Sequence, residues 1–388
     1  MKQIILKKGK EKAIRNSHHW IFSGAVKILP DFTDGDILQV FSDTGDLLGS
    51  GYFNRKAKIL GRMLCFTDQP PLEAIKINLD RAIKWRETLF KDGQTTGYRL
   101  INGEGDCLPG LIVDIYGKVL VIQISTLGMN LLKPFVIDYL KLKLDVVSIY
   151  EKSNLPSRKE EGLKSEEGLL FGKDVDEVEI LENGNKFIVG IKEGQKTGFF
   201  FDHREMREKI KALSYGKRVL NCFSYSGGFS IYAAKGYASQ VDSVDISEKA
   251  IAMAKRNASL NDLDESSLNF YADDVFQFIR EQEMNYDLII LDPPAFAKKQ
   301  KDIIQACRGY KDINRVTMQK MPTNSLLLTC SCSYHVDENL FQKVLFQAAQ
   351  EAGRVVKIIG HHQMAPDHPI NIFHPESDYL KSFLLHIE

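Results

Sequence analysis

Arg218-Val219-Leu220-Asn221-Cys222-Phe223-Ser224-Tyr225-Ser226-Gly227-Gly228-Phe229 runs from an apolar strand candidate into a glycine-bearing turn. Gly227 and Gly228 let a backbone pass close to a ligand. From about Gly216 onward, strand and helix patterns alternate. The strand candidates are 218–222, 241–245, 268–272, 287–291, 325–330 and 355–359, and helical spacing fills 248–261, 275–282, 303–320 and 338–352. Alternation of this kind predicts an α/β fold with a mostly parallel sheet. A last strand candidate, 382–387, follows Pro366, Pro369 and Pro375 with no room for a helix, so it is expected to join the sheet antiparallel.

Acids recur after successive strands: Asp245, 17 residues on from Gly228, then Asp273 and Asp274, then Asp292. An acid at about the first of these spacings binds ribose hydroxyls in nucleotide-binding sheets. The turn is neither Gly-x-Gly-x-x-Gly nor a loop with a phosphate-binding lysine, which disfavours a dinucleotide or a nucleoside triphosphate. A nucleoside-containing cofactor of another kind is the expectation.

Two further strand ends carry the chemistry. Leu291-Asp292-Pro293-Pro294 closes one apolar run, and Thr329-Cys330-Ser331-Cys332-Ser333 closes the next. In α/β sheets, ligands bind at the carboxyl ends of the strands. A thiol there suits covalent attack on a pyrimidine ring better than hydride or phosphoryl transfer. A thiolate adding at C6 of cytosine makes C5 nucleophilic, and an acid at N3 favours the addition because charge develops there. Side-chain alternation puts Cys330 and Cys332 on one side of the strand. Asp292 is the candidate acid, and the prolines after it form a rigid turn that aims the carboxyl group. The base that must remove the C5 proton is not evident.

Composition narrows the partners little. In 388 residues, Lys+Arg and Asp+Glu both total 51, so any polyanion must be held by local patches. One such patch is Lys2, Lys7, Lys8, Lys10, Lys12, Arg15 and Lys27 against Glu11, a formal +6 over residues 1–30. Six cysteines without a Cys-x-x-Cys pair indicate neither a disulfide framework nor a zinc site. No apolar run is long enough for a membrane span or a signal peptide, so a cytoplasmic protein with no membrane partner is expected.

Upstream, residues up to about Thr67 read as a β-rich module in which Gly49 and Gly51 punctuate the strands and Trp20 and Phe22 are core. A helix is expected over 72–89, a hairpin turning at Gly117, a helix over 131–142 and a strand over 146–150. The charge-dense stretch 151–168 reads as an exposed loop, and 177–191 as a second hairpin around Asn183-Gly184. The boundaries expected are 1–70, 71–192 and 193–388.

The strand and acid order resembles the class I S-adenosylmethionine methyltransferases. The motifs Leu6-Lys7-Lys8-Gly9-Lys10, His19-Trp20-Ile21-Phe22-Ser23-Gly24-Ala25, Asn102-Gly103-Glu104-Gly105-Asp106, Gln195-Lys196-Thr197-Gly198-Phe199-Phe200, Asp202-His203-Arg204, Asp292-Pro293-Pro294, Ser331-Cys332-Ser333 and Asp367-His368-Pro369 sharpen the likeness. Together they resemble the bacterial PUA-containing 23S rRNA cytosine-5 methyltransferases over essentially the whole chain.

That resemblance implies an RNA-binding PUA domain at 1–70, a central α+β domain and a Rossmann-like methyltransferase domain. It implies S-adenosylmethionine as cofactor and 23S ribosomal RNA as partner; a homodimer is left open. It makes Cys332 the nucleophile and Asp292 its acid, with Asp292 also beside the cofactor. Asp245, with Ile246, would hold the ribose, and Asp273 or Asp274 the adenine. Asn221, Phe223, Ser224 and Gly227 would flank the methionine moiety. Lys7, Lys8, Lys10, Arg15, Lys196 and Arg204 would meet RNA. Ala295 stands where many RNA cytosine-5 enzymes carry a second cysteine, which favours a single-thiol scheme and leaves Cys330 without a role. The rivals are guanine N-methylation on the same fold, which needs no thiol, and a non-catalytic RNA-binding assembly factor; a nicotinamide oxidoreductase is more distant.

Overall fold

The computed structural model describes residues 1–388 except Lys298. The chain divides into two compact units. Unit 1 comprises 1–183, 189–201 and 366–377; unit 2 comprises 184–188, 202–365 and 378–388.

Unit 1 holds two sheets. The first has six strands, in the order Trp20–Phe22, Ile59–Cys65, Leu47–Phe53, Ile37–Phe41, Gln3–Leu6, Val26–Ile28. It closes over a core that includes Ile4, Leu6, Ile21, Val40, Phe53 and Met63. Gly49 and Gly51 lie inside the strand Leu47–Phe53 and do not break it. A Cβ on Gly51 would stand 2.3 Å from the Arg62 carbonyl oxygen, so close strand approach requires glycine there. Phe22 is 50% exposed and not core, because its three-residue strand lies at the sheet edge. The second sheet has five strands, in the order Glu166–Gly172, Ser148–Ser153, Val119–Ile124, Leu111–Tyr116, Gly97–Asn102. The helix Pro71–Leu89 packs Ile75, Leu79 and Ala82 into the core of this second sheet.

The stretch 151–168, expected as an exposed loop, carries strand residues to Ser153 and a short helix, Pro156–Glu160. Some of its charges are buried in pairs, Glu151 with Lys133 at 2.7 Å and Glu161 with Arg62 at 2.7 Å, while Lys159, Glu160, Lys164 and Glu167 are exposed. The stretch is thus part polar network and part solvated surface.

Unit 2 is a seven-stranded sheet flanked by helices. Its strands are β1 Arg218–Cys222, β2 Gln240–Asp245, β3 Leu268–Ala272, β4 Leu288–Leu291, β5 Ser325–Ser331, β6 Val356–His362 and β7 Lys381–Ile387. The spatial order is β3-β2-β1-β4-β5-β7-β6. The first five are parallel; β7 runs antiparallel to both β5 and β6, as its lack of a preceding helix requires.

Helices α1 Arg204–Leu213, α2 Gly228–Lys235 and α3 Glu248–Leu260 contribute to one buried cluster, with Leu288 and Ile290 of β4. Helices α4 Val275–Glu281, α5 Ile303–Lys320 and α6 Glu338–Ala352 contribute to the other, with Ile289 and Leu291. The alternation along β4 shows both faces of the sheet covered, as a parallel sheet demands. Ser247, Asp274 and Asp337 accept backbone N–H bonds at the starts of α3, α4 and α6, supplying the caps those helices need.

Candidate active site

Strand order reverses direction between β1 and β4, which opens a crevice at the carboxyl ends of the parallel strands. The loop after β1 is held in a costly conformation. Phe223 and Tyr225 have φ of 56° and 45°, and Gly227 has φ of 82°. Non-glycine residues persist in that region only where their surroundings impose it. Here Ser224 N donates to Val244 O at 3.0 Å, Tyr225 N to Asp245 Oδ2 at 2.9 Å, and Asn257 Nδ2 to Ser226 O at 3.0 Å. A Cβ on Gly227 would stand 3.0 Å from that of Ala254.

Asn221 is buried and donates through Nδ2 to Ser230 Oγ at 2.9 Å, while its Oδ1 and the Ser224 Oγ are buried without a partner. An unsatisfied buried polar atom costs about 1–3 kcal/mol. Two of them beside a strained loop fit a site built to receive a polar ligand.

The acids differ in what they are free to do. Asp245 accepts one backbone N–H on each oxygen, from Tyr225 and Ser247, both at 2.9 Å. The carboxylate is thereby fixed with lone pairs to spare for hydroxyl donors. Ile246 beside it is 73% exposed. Asp274 Oδ1 caps α4 by accepting Gln277 N at 2.9 Å. Asp273 is exposed and, among the described residues, its carboxylate accepts the next backbone N–H, through Oδ1 at 2.7 Å. Of the two, Asp274 is the one committed to a helix cap.

Leu291 of β4 pairs in register with Thr329 of β5, so Asp292 and the cysteines emerge on neighbouring strands. Cys332 lies just past the end of β5, half-buried, with its Sγ 3.8 Å from the carbonyl oxygen of Pro293. Cys330 is fully covered in the core, and burial, with Asp292 adding to it, pushes its thiol well above the ordinary range. Next in the chain, Ser333 Oγ accepts from Ala297 N at 3.1 Å and lies 2.9 Å from Tyr310 Oη.

His203 completes the group, its Nε2 3.3 Å from Asp292 Oδ1. Nitrogen, carboxylate oxygen and Cys330 sulfur lie within 4.8 Å of one another. Burial opposes charge on His203, but attraction and a hydrogen bond from Asp292, with Asp202 adding, outweigh it and raise its pKa. Lys381 heads β7 opposite Ser331 and was not singled out from the sequence. Its signal there is one lysine opening a mostly apolar final strand.

The expected RNA-facing residues divide. Lys7, Lys8, Lys10 and Arg15 are exposed in unit 1, with Lys7 Nζ on the Gly24 carbonyl at 3.0 Å and Arg15 paired with Asp46 at 2.5 Å. Lys196 is exposed, its ammonium 4.5 Å from the Phe200 ring centroid. Arg204 is 1% exposed at the start of α1, so it does not present its guanidinium to a phosphate backbone.

Residues 160–370 match the family model described as S-adenosylmethionine-dependent methyltransferase, and residues 4–66 match a PUA-like domain model. The chain is 41% identical to the ribosomal RNA large subunit methyltransferase I of Aeromonas salmonicida (strain A449), over 98% of each. It is 38% identical to that of Yersinia pseudotuberculosis serotype O:1b (strain IP 31758), over 99% of each. Among solved structures, SMU.776 complexed with SAH has the same fold at a TM-score of 0.86 and 24% identity, covering 99% of this chain and 100% of the other.

Proposed function

The chain belongs to the ribosomal RNA large subunit methyltransferase I family of S-adenosylmethionine-dependent enzymes, and on that premise we propose that it forms 5-methylcytosine in 23S rRNA through a covalent bond from Cys332 to C6 of the base. The observation that carries the reading is the meeting of Cys332 Sγ with the Asp292-Pro293 turn, at 3.8 Å from the Pro293 oxygen. Guanine N-methylation would leave a half-exposed thiol at this position without use.

When bound, S-adenosylmethionine supplies a methyl group made electrophilic by its sulfonium sulfur. Asp245 orients the ribose through its backbone-fixed carboxylate, Ile246 covers one face of the adenine, and Asp273 takes the adenine amine. The loop 223–227 receives the methionine end against the unpartnered Ser224 hydroxyl and Asn221 carbonyl. Cys332 adds to C6 as thiolate, and the displaced π electrons reach N3. Asp292 meets that charge by relaying to N3 a proton from the His203 imidazolium behind it. C5, now electron-rich, takes the methyl group. Loss of the C5 proton and expulsion of the Cys332 thiolate release the product. The target cytosine must be unstacked to reach the sulfur.

The exposed lysines of the PUA domain, Lys7, Lys8 and Lys10, hold RNA through phosphates without reading sequence. The enzyme acts in the cytoplasm, where thiols stay reduced. The direct test is mass spectrometry of 23S rRNA from a strain lacking the protein, complemented by wild type or by Cys332→Ala. One 5-methylcytosine should vanish with deletion, return with wild type and stay absent with Cys332→Ala. Its return with the variant would refute the covalent route.

A further inference from the structure

Because β7 is antiparallel, its first residue is delivered to the sheet edge at which the parallel strands end. Lys381 is paired in register with Ser331, one residue before Cys332. Lys381 shares its strand face with Phe383 and Leu385, which lie in the buried cluster that contains Tyr310. The residue is 6% exposed. Its Nζ donates to the carbonyl oxygens of Ser333 and Tyr379, both at 2.8 Å. An ammonium carries three donors, so one N–H remains beyond these two bonds.

The Ser333 carbonyl that holds the ammonium belongs to the residue after the nucleophile. The groups acting electrostatically on Lys381 are Cys332, Asp378 and Asp337. Those that Cys332 acts on also include Tyr310 and Cys330, both of whose protons burial makes hard to remove. Lys381 is thus a cation close to the sulfur. A buried cation is costly unless it meets anions; Asp378 and Asp337 supply part of that charge, and a Cys332 thiolate would add to it.

We propose that Lys381 is the positioning residue that keeps Cys332 in its thiolate form, before attack and again when the sulfur leaves. The inference rests on the reading of Cys332 as nucleophile. In the resting enzyme the thiol proton goes to solvent, and the thiolate stands against the ammonium. On attack the S–C6 bond forms, the C5=C6 pair becomes C4=C5 and the C4=N3 pair moves to N3, which takes a proton relayed from His203 through Asp292. After C5 has taken the methyl group, the C5 proton passes to a solvent base and its pair re-forms C5=C6. The S–C6 pair returns to sulfur beside the ammonium, and N3 gives its proton back to Asp292. Lys381 keeps its proton throughout. Burial lowers the lysine pKa, and the facing anions oppose that fall.

The test is alkylation of Cys332 by iodoacetamide in the full-length protein, followed by peptide mass spectrometry from about pH 6 to 9, a range spanning the ordinary thiol value of ~8.5. Lys381→Gln retains a donor for the two carbonyls but carries no charge. It should slow alkylation about tenfold at neutral pH, the equivalent of one pKa unit, and the deficit should close as pH rises. Lys381→Arg, which restores the charge, should recover most of the rate. Methylation by Lys381→Gln should recover at alkaline pH in parallel.

Calorimetric binding of S-adenosylmethionine, unchanged in both variants, reports that the fold is intact. An alkylation profile that Lys381→Gln leaves unmoved overturns the pairing, while an inactive Cys332→Ala would still uphold the covalent mechanism. Methylation surviving in Cys332→Ala overturns both.

Discussion

Cys330 and Cys332 are two residues apart and have different chemistry open to them. The first lies inside the sheet, with its thiol pushed up by burial and by Asp292. The second has left the strand and reaches the Pro293 carbonyl from a half-exposed position. Cys330→Ala should therefore retain methylation, at a stability cost of about 1–2 kcal/mol for a small buried void. Urea unfolding and a tritium-transfer assay on the same sample check this; loss of activity in a folded Cys330→Ala protein would count against the assignment. A parallel division holds for the acids of β3. Asp273→Ala should weaken S-adenosylmethionine binding several-fold by calorimetry. Asp274→Ala should leave affinity nearly unchanged and cost about 1 kcal/mol of stability through the lost cap. Sequence alone left this pair open, because both acids follow one strand and only the hydrogen bonding separates them.

Among the elements, the methyltransferase sheet was the most legible. Its strands are short apolar runs between capped helices, and even the antiparallel sense of β7 follows from chain length. The site was legible in part: Asp245, Asp292 and Cys332 stand at strand ends, where the fold exposes side chains. His203 was given no contacts and Lys381 no role, because their partners come from distant segments and no spacing rule connects them. The stretch 151–168 was misread in part for a related reason, since the partners that bury Glu151 and Glu161 lie elsewhere in the chain. Glu161 shows what the pairing does: it accepts from Arg62 Nη1 at 2.7 Å, Asn54 Nδ2 at 2.8 Å and Leu127 N at 3.2 Å. Glu161→Ala leaves a buried guanidinium unpaired and should lower stability by about 3–5 kcal/mol. Chemical denaturation of the two proteins reads that difference; a change below about 1 kcal/mol, the surface-pair value, would mean the site is wetter than its burial implies.

For the whole molecule, the last segments of the chain serve both units. Residues 366–377 belong to unit 1, where Asp367 O accepts from Arg86 Nη2 at 2.6 Å and Pro369 O from Asn102 Nδ2 at 3.1 Å; residues 378–388 return to unit 2. The motif Asp367-His368-Pro369 is thus explained as a fastening of unit 1 to its own 102–106 turn. Global stability should also depend on pH through His19, whose pKa burial lowers from 6.5 to about 4. The unfolded chain binds a proton there that the folded chain refuses. This contribution is complete above the unfolded value and is lost as pH falls from about 6.5 towards 4, amounting to ~2 kcal/mol at pH 5. Melting at pH 7 and pH 5 should show that loss in wild type and much less of it in His19→Phe.

The central claim, that residue 332 bonds to the target base, is tested most directly by offering an rRNA fragment carrying 5-fluorocytosine. Fluorine cannot leave C5 as a proton does, so the methylated adduct should persist as a denaturant-resistant protein–RNA complex, with tandem mass spectrometry locating the link at Cys332. A methyl donor consumed without any such complex, or a link mapped to Cys330, would contradict the account.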